Sequence, residues 1–194
     1  AMNVIANSFP LQAADQVLLT DHEYGAVRRI WEATCRQASA EVTTVSLPEF
    51  FTDPQEVVDA LFAACTNRTR LIVISHITSP TAITLPVDKI CQRAQQEGVQ
   101  VCVDGPHAVA QLPLSLEELG CDYYCASCHK WLCAPFGTGF LYAAAKHQER
   151  LGPLTLSWGQ LPPDEVSHWS EEFLWSGTRD PSAYLAIPAA IDFM

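Results

Sequence analysis

Four short polar clusters hold most of the side chains in this sequence that could do chemistry: Asp21-His22-Glu23-Tyr24, Ser75-His76-Ile77-Thr78-Ser79, Asp104-Gly105-Pro106-His107 and Ser127-Cys128-His129-Lys130. Together they supply carboxylates, imidazoles, hydroxyls and, at Lys130, an amine. These are the groups used for proton transfer and for holding a polar ligand. His76 has the type of a catalytic base, although a histidine satisfied by its neighbours at a strand end is the better reading. A second constellation competes with these clusters. Cys121, Cys125, Cys128, His129 and Cys133 lie close in sequence, and Cys125-x-x-Cys128 has the spacing of a zinc or redox pair. Against a metal site, Cys121 and Cys125 fall on or beside a strand pattern whose alternation limits which side chains can converge, and no second Cys-x-x-Cys completes the set.

Each polar cluster directly follows a run of strand-forming residues. Apolar, β-branched stretches at Val17–Thr20, Val42–Leu47, Arg70–Ser75 and Val99–Val103 alternate with amphipathic stretches at Gly25–Ala38, Pro54–Ala64 and Val87–Glu97. That rhythm predicts crossover units and an α/β fold with a mostly parallel sheet and helices on both faces. Gly98 stands where a helix-ending glycine belongs. Ser115–Leu119 reads as a short helix and Tyr123–Ala126 as a further strand. Gly137–Ala143 follows with too little intervening chain for a helical crossover, which predicts one antiparallel strand. Beyond Gly152 the Pro, Ser, Trp and acidic residues predict an irregular loop rather than a second core. In an open sheet of this kind ligands gather beyond the carboxyl ends of the parallel strands, so all four clusters are expected to face one cleft.

The composition narrows the functional classes. Of 194 residues, 48% are hydrophobic and 17% charged, enough apolar material for a single packed unit. A net charge of −11 with only 11 Lys and Arg argues against a nucleic-acid partner, because backbone phosphates demand clustered cations. No apolar run is long enough to span a bilayer, so no membrane partner is expected. Eight cysteines inside apolar segments do not resemble a small secreted disulfide framework, and a cytoplasmic setting is expected.

Taken in order, the motifs carry a more specific resemblance. A strand followed by Asp104-Gly105-x-His107, a strand followed by Ser127-x-His129-Lys130-Trp131, and then Gly137-Thr138-Gly139 resemble the class V aminotransferase family of pyridoxal 5'-phosphate (PLP) enzymes. The likeness runs from about residue 15 to the end. It includes Trp175-Ser176-Gly177-Thr178-Arg179-Asp180, which is most similar to the isopenicillin N epimerase-like branch rather than the cysteine desulfurase-like one. The resemblance implies the major domain of PLP fold-type I, incomplete at both ends over residues 1–194. A phosphate loop would precede Ala1, and a small domain carrying the substrate-carboxylate arginine would follow Met194. This chain alone is expected to bind PLP weakly or not at all, and the full-length protein is expected to be a homodimer acting on an amino-acid substrate.

The resemblance also assigns roles. Lys130 matches the lysine that condenses with the cofactor aldehyde and later moves the proton at the substrate α-carbon, work that requires the neutral amine. Asp104 matches the carboxylate that keeps the pyridine nitrogen protonated, although Asp-Gly is also a common turn pair. Tyr24 matches the ring-stacking position. His107 and Ser79 match positions around the phenolate oxygen, where desulfurase-like members carry Gln and Asn. Ser127 and His129 match phosphate-contacting positions, and Thr178 matches a residue that reaches the phosphate of the neighbouring subunit. Trp131, Trp169 and Trp175 fit a pocket mouth or a core equally well. Three other readings stay open: cysteine desulfuration, a Cys/His metal site, and a catalytically inactive interaction module.

Overall fold

The computed structural model describes residues 1–48, 50–159 and 168–194. In chain order the elements are α1 (Met2–Ser8), β1 (Gln16–Thr20), α2 (Gly25–Ala38), β2 (Glu41–Val45), α3 (Pro54–Ala63), β3 (Thr69–Ser75), α4 (Val87–Glu97), β4 (Gln100–Asp104), α5 (Leu116–Leu119), β5 (Tyr123–Ser127), β6 (Gly139–Ala143) and α6 (Ala145–Gln148). A 3-10 turn (Trp169–Phe173), α7 (Ser182–Leu185) and α8 (Ile187–Phe193) follow. The strands form one six-stranded sheet in the order β2-β1-β3-β4-β5-β6. Every pairing is parallel except that of β5 with β6, the antiparallel strand expected from the short connection.

Strand alternation divides the apolar residues between two cores. Leu18, Ile72, Ile74, Val101, Val103 and Tyr124 face α3 and α4, whereas Val17, Leu19, Leu71, Val73, Cys102 and Tyr123 face α1 and α2. Both faces of β1, β3, β4 and β5 are therefore covered, which is why these segments read as largely apolar runs. Each such side chain, fully removed from water, contributes about 1.5–3 kcal/mol. Local signals agree with this packing. Asp53 and Glu56 close a capping box on α3 with Pro54 in its first turn, and Gly98 ends α4 at φ +71°.

One boundary differs from expectation, and one break between C-terminal helices has an identifiable cause. β2 ends at Val45 rather than Leu47, because the Leu47 amide donates to Asp21 Oδ1 instead of continuing the ladder. The C-terminal apolar stretch breaks at Ala186 into α7 and α8, since Pro188 has no N–H to extend a helix through the first turn of α8. The segment from Gly152 to Gly159 carries no strand or helix, as its composition predicts, and residues 160–167 of that loop lie outside the described residues. Among the described residues no helix is long and apolar enough to cross a membrane.

The amino-terminal ends of β4 and β5 and the carboxyl end of β6, with α6 after it, are tied by one buried carboxylate. Asp122 accepts the Val101 amide at 2.9 Å, the His147 Nε2–H at 2.6 Å and the Lys146 ammonium at 2.9 Å. His147 stacks on Tyr123 with ring centroids 5.1 Å apart. Replacing Asp122 with alanine strands a buried imidazole and a buried amide and should cost about 3 kcal/mol of stability. Urea unfolding of the full-length variant measures this, and a loss below about 1 kcal/mol would show that the clamp is dispensable.

Candidate active site

Strand order reverses at β1. From it the chain passes to β2 on one side and later to β3, β4 and β5 on the other, so the crevice beyond β1 and β3 is where a doubly wound sheet binds its ligand. A cavity of about 310 Å³ opens there, and Tyr24, Ser79, Asp104, His107, Ser127, His129 and Lys130 all line it. Its apolar wall comes from Met2 of α1 and from Val27 and Ile30 of α2. Thr178 is the one residue of the expected set that this chain does not bring to the cavity, lying exposed in the segment between the 3-10 turn and α7. A larger cavity of about 550 Å³ lies between the starts of α3, α4 and α5 and contains none of these residues. His76 lines that second cavity, its Nδ1 paired with the Tyr124 hydroxyl at 3.0 Å.

Asp104 ends β4, in register with Ser75 of β3 and Cys125 of β5. Its carboxyl makes no side-chain hydrogen bond among the described residues. Its pKa is pushed up to about 7, chiefly by burial and then by the negative charge of Glu23, with the Lys130 ammonium opposing. The Asp-Gly pair that follows is not a hairpin turn. The Gly105 amide donates to the Cys125 carbonyl at 2.8 Å, and a Cβ at position 105 would overlap the Tyr124 ring, so the glycine permits a close approach to a buried aromatic.

Glu23 is the charged residue whose place was not evident from the sequence. It is 6% exposed and accepts hydrogen bonds from the Thr20 and Ser75 hydroxyls, each at 2.7 Å. Burial pushes its carboxyl above the usual range, against those two hydrogen bonds. The available signal was that both apolar strands facing this crevice close on a hydroxyl, Thr20 and Ser75, each able to satisfy an oxygen of a buried carboxyl.

Lys130 projects from a loop fastened across the start of β6. The Cys128 amide donates to the Thr138 carbonyl at 3.0 Å, the Ala134 amide to the Cys128 carbonyl at 3.1 Å and the Cys133 amide to the Lys130 carbonyl at 3.2 Å. His129 Nδ1–H donates to the Thr138 carbonyl at 3.0 Å, which fixes its tautomer and leaves Nε2 free to donate to an anion once protonated. Lys130 Nζ lies 3.0 Å from His107 Nε2, and the Trp131 indole N–H donates to His107 Nδ1 at 3.1 Å. Burial and the Lys130 charge both lower the pKa of His107, favouring a neutral imidazole. Trp131 thus stands half-exposed beside His107 without lining the cavity itself, whereas Trp169 packs against the core that covers α1 and α2.

The rival cysteine group does not assemble. Cys121 packs in the core beneath α3 and α4, Cys125 in the opposite core, and Cys133 is exposed. Among the described residues no cluster of three or more His, Cys, Asp or Glu is placed to hold a metal ion.

Comparison with known proteins agrees with this fold. The sequence matches the family described as Aminotransferase class-V over residues 1–194, so the likeness includes α1 and begins earlier than the motifs indicated. It is 39% identical over 204 residues to an isopenicillin N epimerase of Streptomyces clavuligerus and 40% identical over 206 residues to one of Amycolatopsis lactamdurans. These alignments cover all of this chain and 51% and 52% of the relatives. A cysteine desulfurase of Enterobacter sp. (strain 638) is 30% identical over 204 residues, covering all of this chain and 48% of that protein. Among solved structures, a mutant of C-DES with glycine covalently linked to its PLP cofactor aligns with a TM-score of 0.86 at 23% identity, covering 99% of this chain and 52% of that one. The cysteine desulfurase CsdA of Escherichia coli gives 0.83 at 24% identity, covering 99% and 49%. The chain spans about half the length of the curated relatives it matches. With a match along its whole length and a sheet of the same architecture, the chain belongs to the class V aminotransferase family.

Proposed function

We propose that the full-length protein is a PLP-dependent enzyme acting at the α-carbon of an amino acid, with an epimerase-like reaction as the first choice within the family. The observation that carries this reading is that the Asp104 carboxyl, at the end of β4, and the Lys130 amine, on the loop after the adjacent β5, line one cavity. The donor set suits the cofactor. Ser127 and His129 would offer donors for a phosphate, His107 and Ser79 would serve the phenolate oxygen, and Tyr24 would offer a ring face. PLP, when bound, supplies an electron sink for charge developing at the α-carbon. Lys130 would take the α-proton, and its return to the opposite face of the same carbon would give epimerisation, whereas the alternatives protonate another atom or break a further bond.

Thr178, exposed and away from its own chain's cavity, is assigned to the phosphate of a second subunit in a homodimer. Eight free thiols support a cytoplasmic setting. Desulfuration of cysteine is the less favoured reaction. Only Cys133 is exposed among the eight cysteines and it does not line the cavity, so none of the eight is assigned the nucleophilic role, which that reading would place in a part of the full-length protein outside this chain. The direct test is borohydride reduction of the PLP-loaded full-length protein followed by peptide mapping. The reduced adduct is expected on Lys130, and an adduct on any other lysine refutes the assignment.

The elevated Asp104 pKa carries a second expected result. Between its ordinary value of 3.8 and about 7, folded Asp104 holds a proton that the unfolded chain has released. Rising pH therefore withdraws stability from the cofactor-free protein across that window, by at most about 1.4 kcal/mol per pH unit, and the loss levels off above it. Asp104→Asn lacks this contribution. Denaturant midpoints of both proteins at several pH values should diverge accordingly, and parallel curves would contradict it.

A further inference from the structure

We propose that Trp131 is a positioning residue that fixes the proton of His107 on Nε2 and thereby aims that N–H at the Lys130 amine. The inference rests on the reading of Lys130 as the reacting amine. The argument is a count of protons along one chain of contacts. An indole nitrogen can only donate, so the 3.1 Å contact from Trp131 Nε1 requires a bare Nδ1 on His107. A neutral imidazole carries a single N–H, which must then sit on Nε2. That N–H points at Lys130 Nζ, 3.0 Å away, and a hydrogen bond forms only if the amine accepts through its lone pair. A protonated lysine has no lone pair, so donors would meet head to head and one of the two contacts would break.

The surroundings reinforce this order. Burial disfavours a protonated His107, which would oppose Trp131 on one nitrogen and Lys130 on the other. The rings of His107 and Trp131 meet at 61° with centroids 6.4 Å apart, a tilted contact that leaves the indole N–H free to reach the imidazole edge. Trp131 follows Lys130 directly, so one fastened loop sets both ends of the relay. His107, held as a donor, is also oriented to serve an oxygen that replaces the amine as its acceptor.

The test uses the full-length protein, free of cofactor, with its histidine rings labelled with 15N. The His107 signals are identified by their loss in His107→Gln. Two replacements of Trp131 are compared: Trp131→Phe, and β-(3-benzothienyl)alanine, which keeps the indole outline without an N–H. Trp131 is 49% exposed, so neither change empties a core. The expected result is an Nε2–H tautomer in the parent protein and a mixture of tautomers in both variants. Uptake of added PLP at neutral pH should slow by about five- to tenfold, the equivalent of one neutral hydrogen bond. A parent His107 with its proton on Nδ1, or variants with an unchanged tautomer, overturns the inference. Borohydride mapping separates the two levels. An adduct on Lys130 with no tautomer change defeats the relay alone, and an adduct on another lysine defeats the functional reading while the tautomer result is still scored on the cofactor-free protein.

Discussion

Replacing Lys130 with alanine in the full-length protein is expected to lower the exchange of substrate α-protons by roughly 10⁴-fold or more, the effect of deleting a group that both holds the reacting partner and moves its proton. Lys130 is exposed at the cavity and its side chain supports no core contact, so the variant should keep its circular dichroism spectrum and thermal midpoint. The measurement is deuterium incorporation at the α-carbon for a panel of amino acids in D2O, read by mass spectrometry. Residual exchange within tenfold of the parent protein would place the reacting amine elsewhere.

Replacing Asp104 with alanine is expected to slow the same exchange by about 10²- to 10³-fold, the usual cost of removing one preorganised electrostatic partner. The two variants should differ in kind. Without Lys130 no reduced adduct forms at this site, whereas without Asp104 the Lys130 adduct still forms and only proton removal from the α-carbon suffers. Asp104→Ala also removes a buried carboxyl that folding holds protonated near neutral pH, so its stability should rise or stay level above pH 7. A variant that exchanged α-protons at the parental rate would leave Asp104 without a chemical role.

Much of the architecture was legible because β1, β3, β4 and β5 are covered on both faces. Segments such as Leu71–Ile74 have no polar alternation to misread, and the helices between them carry ordinary caps at Asp53 and Gly98. The cluster after each strand could be placed in one crevice from topology alone, and seven of the eight expected site residues line it. Thr178 was legible only as belonging elsewhere. Partner choice among neighbouring polar groups was not legible. Asp21 and Glu23 stand two residues apart in one cluster, yet Asp21 binds the Leu47 amide and Glu23 turns inward to Thr20 and Ser75. Trp131 shows the same limit, because its role depends on the orientation of an imidazole 24 positions away. Such choices are settled by side-chain rotamers and by the desolvation of individual atoms, which a spacing pattern does not record.

The spread of the cavity wall along the chain has a consequence for folding. Tyr24 and Lys130 become neighbours only once β1, β3, β4 and β5 have registered side by side, a set of long-range closures that forms slowly compared with any single helix. No early, partly assembled species can recognise the ligand. Ligand uptake therefore reports completion of the sheet, and a stopped-flow refolding trace followed through cofactor absorbance should lag behind the recovery of helical signal.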